Sequence, residues 1–338
     1  MNSFRHRRLL VVLTLTFLFM TVLAGYTWWD NQRIVVRHYH VTHPQVPAAF
    51  DGFRVVFVSD LEGRSFGPGQ RRLIELIAAQ APDLLVFGGD YDDRHVRSLE
   101  PITDLVKGVV TALDVPVYFV LGEKDWYIES DTTRSDTLIR ALEDLGAHYL
   151  NAPVLFKKGF DYIWLTPLRV GFVSDPNVLP AFLEQHPELS AAEVAFWRQG
   201  TAFRHVVKPT DFVVVVEHEP FRDFPSALQA LSRTGTEATT GHNGGHGDNE
   251  GTIMYTDHDL YLAGHTHGGQ IRLPFIGPLV EPNRGFFPGD DYVKGLFVDS
   301  EGRYQVVSAG LGASGPRWAR FRFLNPPEIV VVTLDQGE

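Results

Sequence analysis

Two histidines separated by one residue follow an apolar run near the end of the chain, in the stretch Gly264-His265-Thr266-His267-Gly268-Gly269-Gln270. The preceding residues, Leu260-Tyr261-Leu262-Ala263, are typical of a buried strand. Two imidazoles at a strand end can turn toward one point, and neutral imidazole is the commonest metal-ligand side chain. A His-x-His pair alone is better interpreted as two solvated histidines in a polar loop, so the interpretation depends on the rest of the chain.

Five apolar runs along the chain share one property, which is that an ionisable side chain follows each of them. These side chains are Asp60, Asp90, Glu123, His218 and His265. Ligands of open α/β sheets bind outside the carboxyl ends of the strands, so we expect these five groups to converge on one site. Polar residues follow strands in every protein, but five strand ends that carry only metal-competent groups indicate a metal centre.

Composition restricts the classes of function. The chain has 338 residues, of which 44% are hydrophobic, enough for one large core. Its formal net charge of −11 argues against nucleic acid as a partner, because phosphate backbones select basic surfaces. The sequence contains no cysteine, which excludes disulfides, thiolate metal sites and thiol nucleophiles.

The N-terminus predicts a transmembrane helix. Arg5, Arg7 and Arg8 precede an apolar run over residues 9–25, which tryptophans 28 and 29 close. Basic residues before about 20 apolar residues and an aromatic belt are typical of a membrane anchor whose N-terminus is cytoplasmic. A cleaved signal peptide with Val22-Leu23-Ala24 at its cleavage site is an alternative, and Arg7-Arg8 resembles a twin-arginine export signal. Each interpretation places the remaining chain outside the cytoplasm, in the case of the anchor as a single-pass protein of the cell membrane.

Alternating apolar strands and helical patterns after residue 53 predict a layered α/β protein. We therefore divide the chain into a basic tip and anchor over residues 1–30, a connector over 31–52 and one domain over 53–338. The connector has an alternating pattern at Ile34, Val36 and Val41 that predicts an edge strand.

The order of the polar motifs resembles the calcineurin-like metallophosphoesterase superfamily, specifically its bacterial membrane-anchored or exported phosphodiesterase-like branch. That family shows D-x-H, G-D-x-x-D, G-N-H-D, a lone histidine after a strand, and G-H-x-H. The counterparts are Asp60-Leu61-Glu62, Gly89-Asp90-Tyr91-Asp92-Asp93, Gly122-Glu123-Lys124-Asp125, His218 and Gly264-His265-Thr266-His267. Over residues 53–334 the resemblance implies a four-layer α/β/β/α sandwich, here with an N-terminal transmembrane helix.

The resemblance also implies a dinuclear metal centre that hydrolyses a phosphomonoester or phosphodiester. Carried over by position, one ion would be held by Asp60, Glu62, Asp90 and His267. The other would be held by Asp90, Glu123, His218 and His265, with Asp90 shared between the two. Two ions about 3.5–4 Å apart can clamp a phosphoryl group for in-line attack.

Three residues depart from the family pattern, because Glu62 replaces a histidine, Glu123 an asparagine and Lys124 the catalytic histidine. Both glutamates can still bind metal through oxygen. The added carboxylates make the ligand set less positive and favour Mn²⁺, Mg²⁺ or iron over zinc. By the same resemblance, Asp93 would orient Lys124, whose charge would then stabilise the reacting phosphate. In a competing interpretation, Lys124 lies between the two glutamates and its ammonium replaces one metal.

Other residues have weaker signals. Arg64 follows the first motif and is a candidate for binding substrate phosphate, since arginine recognises phosphate through two parallel hydrogen bonds. His242, His246 and Asp248 lie in a glycine-rich stretch, where a solvated loop is the better interpretation. The substrate would be a phosphorylated small molecule or a lipid or cell-envelope phosphate. The rival function is a family member without turnover that binds a phosphorylated ligand or scaffolds partners.

Overall fold

Two six-stranded sheets lie face to face at the centre of the computed structural model of the chain. The structure describes residues 2–92, 98–126, 132–167, 179–185, 187, 194, 198, 202–203, 206–221, 258–282, 284–289, 292–315 and 320–338.

The first sheet has the order β1-β15-β2-β3-β4-β5. Its strands are β1 (Val35–His43), β2 (Phe53–Val58), β3 (Leu84–Phe87), β4 (Val117–Phe119), β5 (His148–Tyr149) and β15 (Glu328–Gln336). Strands β2 to β5 run parallel, and β15 is antiparallel to β2. All four residues of β3 are buried, as expected of a parallel strand that is covered on both faces.

The second sheet has the order β13-β14-β9-β8-β7-β6. Its strands are β6 (Val154–Lys158), β7 (Asp161–Pro167), β8 (Val213–Val216), β9 (Leu260–Ala263), β13 (Gly295–Val298) and β14 (Tyr304–Val307). A small third sheet of β10 (Ile271–Leu273), β11 (Gly277–Glu281) and β12 (Gly285–Phe286) follows the second histidine of the His-x-His pair.

Six α-helices lie among the described residues, and the second, third and fifth of them cover the outer face of the first sheet. The six helices are α1 (Asn2–Gln32), α2 (Arg71–Ala78), α3 (Glu100–Ala112), α4 (Glu123–Trp126), α5 (Thr132–Glu143) and α6 (Leu179–Gln185). In α2, Leu73 and Ile77 are four residues apart, so both face the first sheet and join its outer core. Phe203 and Val207 pack on the outer face of the second sheet against Trp164. This arrangement confirms the predicted four-layer α/β/β/α sandwich.

Residues 31–52 contain the predicted edge strand. Strand β1 pairs in parallel with β15 from Val35 opposite Glu328 to His43 opposite Gln336 and lies at the edge of the first sheet. The division of the chain at residue 53 stays a prediction. The sequence pattern did not reveal this pairing because the partner strand lies at the other end of the chain.

Helix α1 is long and apolar enough to cross a membrane, because an 18-residue window within its 27 residues His6–Gln32 has a mean hydropathy of 2.3. Its end is attached to the domain. The Asn31 side chain donates a hydrogen bond to the Arg322 carbonyl and accepts one from the Arg322 amide at 3.0 Å. Arg72 in turn donates to the Gln32 carbonyl at 2.9 Å.

Candidate metal centre

The carboxyl ends of β2, β3 and β4 from one sheet meet those of β8 and β9 from the other. The loops that follow these strands carry all seven side chains that the sequence proposed as metal ligands, which are Asp60, Glu62, Asp90, Glu123, His218, His265 and His267. All are buried except Glu123, whose side chain is 21% exposed. The structure therefore brings together every described residue of the predicted ligand set.

Five of these residues share an uncommon backbone conformation. Positive φ angles occur at Asp60 (52°), Glu62 (53°), Asp90 (54°), His265 (71°) and His267 (50°). Residues other than glycine rarely adopt this left-handed region, and each instance costs about 1–3 kcal/mol. The surrounding structure must impose these conformations, and such strain is concentrated at functional sites.

Glycines lie against the carboxylates because no other residue would fit. A Cβ on Gly264 would lie 2.5 Å from Asp60 Oδ2, and one on Gly122 would lie 2.3 Å from Asp90 Oδ1. A Cβ on Gly310 would lie 2.6 Å from the Asp60 Cβ. Sequence analysis assigned no role to Gly310, because its contact with the first motif depends on the assembled fold.

Asp125 joins the loops after β3 and β4 and was assigned no role from the sequence. Its carboxylate accepts hydrogen bonds from the backbone amides of Asp90 at 2.8 Å, Tyr91 at 3.1 Å and Gly122 at 2.9 Å. Burial, reinforced by the Asp90 carboxylate, raises the pKa of Asp125 to about 7. We assign Asp125 as a positioning residue, since it holds Asp90 through the backbone.

His218 is oriented as a metal ligand. Its Nδ1 lies 2.7 Å from the Gly88 carbonyl oxygen, an acceptor, so Nδ1 carries the proton and Nε2 faces the carboxylates. Nε2 lies 3.2 Å from Glu123 Oε2, 3.4 Å from Asp90 Oδ2 and 3.9 Å from Asp60 Oδ1. A carbonyl that fixes the far nitrogen is the usual support for a metal-binding histidine. Burial acts to lower the pKa of His218, but the Asp90 carboxylate outweighs it and the pKa is raised well above its ordinary value.

Two groups of donors among the described residues have the proximity that a metal ion needs. Glu123, His218 and His265 form one group, and Asp60, Asp90 and His218 form the other, each with ligand atoms within 4.8 Å of one another. His265 Nδ1 lies 2.7 Å from Glu123 Oε2. The oxygen and imidazole donors of the first group fit a divalent ion. Both groups use His218, whereas the map carried over from the family gives His218 to one ion only.

Lys124 lies inside the ligand cluster. Its Nζ donates hydrogen bonds to Glu62 Oε1 and, at 2.6 Å, to Asp90 Oδ2, and its side chain is only 8% exposed. Burial acts to lower the pKa of Lys124, but Asp90 and Glu62 outweigh it and the pKa is raised, so the side chain is charged. Glu62 and Asp90 are therefore occupied by an ammonium group where the resemblance expected a metal ion. Asp93, the predicted partner of Lys124, lies outside the described residues.

His267 is neutral in this surrounding. Burial, assisted by the charge of Lys124, lowers the pKa of His267 to about 3. Its Nε2 lies 3.4 Å from Glu62 Oε1 and 3.9 Å from Asp60 Oδ1. Neither ring nitrogen has a hydrogen-bond partner in the part of the chain that the structure describes.

Arg64 binds backbone rather than facing the cluster. Its guanidinium donates to the carbonyl oxygens of Asn31 and, at 3.3 Å, Leu311. These contacts connect the end of α1 to the domain, and a role of Arg64 in phosphate binding stays a prediction.

Arg320, which was given no role from the sequence, lies 3.8 Å from Glu62 Oε2. His242, His246 and Asp248 lie outside the described residues.

Known proteins resemble the chain across nearly its full length. Residues 53–269 match the calcineurin-like phosphoesterase family. The uncharacterized metallophosphoesterase YkuE of Bacillus subtilis is 39% identical over 93% of this chain and 91% of that protein. An uncharacterized metallophosphoesterase of Aquifex aeolicus is 25% identical over 94% of this chain and 98% of its own length. UDP-2,3-diacylglucosamine pyrophosphatase LpxG of Chlamydia trachomatis is 24% identical over 92% of this chain and 94% of that protein.

The close approach of Gly310 to Asp60 predicts how an added Cβ would affect stability and metal binding. Gly310 and Gly302 both have positive φ, 66° and 81°, but a Cβ on Gly302 meets nothing within 4 Å. We expect Gly302→Ala to lower the free energy of unfolding by about 1–2 kcal/mol, the cost of a Cβ in left-handed backbone. Gly310→Ala adds a clash, which we expect to cost about 1–3 kcal/mol more.

Urea unfolding and calorimetric titration with Mn²⁺ measure both effects. Only Gly310→Ala should weaken Mn²⁺ binding, because only this variant displaces Asp60. Equal stability and equal Mn²⁺ affinity in the two variants would contradict the described packing.

Proposed function

Because the chain belongs to the calcineurin-like phosphoesterase family, we propose that it hydrolyses phosphoric esters with a divalent ion held by Glu123, His218 and His265. The observation that supports this most directly is the orientation of His218, whose Nε2 faces buried carboxylates while Nδ1 is held by Gly88. A tautomer fixed in this way leaves one lone pair directed at the cluster.

We propose Mn²⁺, Mg²⁺ or iron rather than zinc from the full set of seven predicted ligands, of which four are carboxylates and none is a thiolate. The group Glu123, His218 and His265 taken alone has two imidazoles and one carboxylate, so the identity of the ion has to be measured with its count. A divalent ion supplies Lewis acidity toward a phosphoryl oxygen and toward the attacking water. The protein contributes the remaining electrostatics. Lys124, held between Glu62 and Asp90, presents a positive charge that does not depend on metal loading and that stabilises an anionic substrate.

The sequence prediction of two ions requires Lys124 to leave Glu62 and Asp90. The contacts of Lys124 instead support a centre with fewer ions, while the resemblance to dinuclear family members supports two. The count of ions is therefore the first quantity to measure, and it does not alter the class of reaction that we propose.

We propose a lipid or cell-envelope substrate that contains a phosphodiester or diphosphate. The relative from Chlamydia trachomatis is named for a pyrophosphatase activity on UDP-2,3-diacylglucosamine. Helix α1 supports a membrane location for this chain as well. The charge of −11 argues against nucleic acid as the substrate.

An exposed apolar surface next to the cluster supports this substrate class. We call it the apolar hairpin; it is formed by Phe275, Ile276, Phe286 and Phe287 of the small sheet, all exposed. Arg272 of the same sheet donates to the Gly268 carbonyl at 2.9 Å, one residue beyond His267. The backbone amide of Arg272 donates to the carbonyl of Phe323. The neighbour of Phe323 in sequence, Arg322, is hydrogen-bonded to Asn31 of α1.

We also propose that α1 spans the cell membrane once and that the domain lies outside the cytoplasm. The arginines before the apolar run support a cytoplasmic N-terminus, and Trp28 and Trp29, both exposed, suit the opposite membrane interface.

One observation favours a second function, which is the binding of a phosphorylated ligand without turnover. The Lys124 ammonium occupies two of the carboxylates that would otherwise ligate metal. A site that has lost part of its metal could retain affinity for phosphate through Lys124 and Arg320.

Metal content and turnover separate these functions. We expect the wild type to bind Mn²⁺ and hydrolyse an aryl phosphodiester, and His218→Ala to lose metal and at least about a hundredfold in turnover, as expected on removing one element of an electrostatic site. His38→Ala, at an exposed position of β1, is the matched control and should retain both properties. Phosphate binding by a wild type that holds metal but shows no turnover would support the second function.

The apolar hairpin generates a separate prediction. The double substitution Phe275→Ser with Phe287→Ser should lower turnover of a lipid-linked diphosphate in vesicles by about tenfold or more, since burial of each large apolar side chain contributes about 1.5–3 kcal/mol. Turnover of a soluble aryl phosphodiester should not change. Phe160→Ser, a fully exposed position between β6 and β7, is the control for loss of an aromatic side chain. Equal losses on both substrates would argue against membrane contact.

A reporter fused after Glu338 tests the proposed topology. An enzyme that is active only outside the cytoplasm, such as a periplasmic phosphatase reporter, should be active in this fusion. A reporter active only in the cytoplasm should be silent, and the reverse pattern would refute the proposed orientation.

A further inference from the structure

The ammonium group of Lys124 binds residues that, by the ligand assignment carried over from the family, would hold one of two metal ions. Nζ is bonded to Glu62 and to Asp90, which are two of the four ligands that the map assigns to that ion. We infer that Lys124 permanently replaces this ion and that the protein holds one divalent ion, at His218. This inference rests on the proposed function and defines its metal content.

Lys124 and a second ion would compete for the position between Glu62 Oε1 and Asp90 Oδ2. Asp90 Oδ2 accepts from Nζ at 2.6 Å, while a hard divalent ion would need the same oxygen at about 2.0–2.2 Å. An ammonium group has three donors and no acceptor, so it cannot join a metal as a ligand. An ion bound between these two oxygens would have to displace the ammonium group, and an ion bound beside it would be repelled by its charge.

His218 limits the number of ions that the cluster can hold. It completes both donor groups among the described residues, one with Glu123 and His265 and the other with Asp60 and Asp90. Nδ1 is held by the Gly88 carbonyl, which leaves Nε2 as the ligand atom. One nitrogen lone pair binds one ion, so these two groups describe alternative ligands of a single ion. The other candidate nitrogen, His267 Nε2, lies 3.4 Å from Glu62 Oε1, which is the oxygen that Lys124 holds.

The net charge of the cluster also argues against a second ion. The cluster contains four carboxylates, from Asp60, Glu62, Asp90 and Glu123, and they are answered by basic side chains. Arg320 lies 3.8 Å from Glu62, and Arg322 is fully buried where the charges of Glu328, Asp60 and Glu62 act on it. Together with Lys124, these arginines offset most of the negative charge, although Arg322 also offsets Glu328. One divalent ion then completes the balance, and a second would add positive charge beyond that of the four carboxylates.

The test is the number of ions per chain. Full-length protein in detergent is loaded with Mn²⁺, freed of excess metal by gel filtration and analysed by elemental mass spectrometry. We expect one ion per chain in the wild type and none in His218→Ala. The paramagnetic resonance spectrum of the wild type should be that of isolated Mn²⁺ rather than of an exchange-coupled pair.

Lys124→Met provides the decisive variant, because it keeps the length of the side chain and removes the ammonium group. Glu62 and Asp90 are then left without their cation, and we expect the count to rise from one ion to two, with the spectrum of a coupled pair. Lys157→Met, at an exposed position of β6, is the matched control and should stay at one ion.

Each outcome bears on a distinct claim. Two ions in the wild type would overturn the replacement by Lys124 and leave the proposed hydrolase intact. No ion in the wild type would overturn both. One ion in a folded Lys124→Met protein would also overturn the replacement, and if that variant does not fold, the wild-type count and spectrum decide alone.

Discussion

The structure depends on compensating four carboxylates, three buried and one partly buried, where two sheets meet. Carboxylates in such a place must either bind protons or be paired with positive charge, because burial strongly disfavours an isolated ion. Lys124 provides that charge at all times, and at His218 it is provided either by a proton on Nε2 or by a metal ion that displaces this proton. Asp90, which contacts both residues, has its pKa lowered despite its burial. The same demand accounts for Arg322, an arginine that is fully buried. The residues around the cluster are therefore best understood as a matched set of charges, of which a metal ion is one member.

The sequence predicted the parts of this site that depend on local pattern. Short apolar runs indicated the strands, and the polar residue after each run identified Asp60, Asp90 and His218. For Lys124 the competing interpretation named Glu62 correctly but gave Glu123 rather than Asp90 as the second partner, because these contacts depend on how three loops from different strands meet. The same is true of Gly310, which packs against a residue 250 positions earlier in the chain. Asp125 was missed because an aspartate that binds backbone amides has no distinguishing neighbour in sequence.

Arg322 is one of the residues that connect α1, the candidate membrane span, to the site. The backbone of Arg322 is hydrogen-bonded to Asn31 at the end of α1, and its guanidinium donates to the carbonyls of Gly312, at 2.6 Å, and Ala309. Gly312 in turn lies against Glu62, since a Cβ there would be 2.4 Å from the Glu62 Cβ. The end of α1 is thus packed onto the backbone that supports the carboxylates, and these contacts rather than a flexible linker set the orientation of the site relative to α1.

Strand β15 lies between β1 and β2, so the last strand of the chain occupies an interior position in the first sheet. A ribosome that has made everything up to residue 327 has released β1 and β2 but not the strand that separates them. Strand β2 can pair with β3 before then, but β1 has no neighbour in the sheet until residues 328–336 have been made. The first sheet is therefore completed only after nearly all of these residues have been synthesised, and the open edge of β2 stays unpaired until that point.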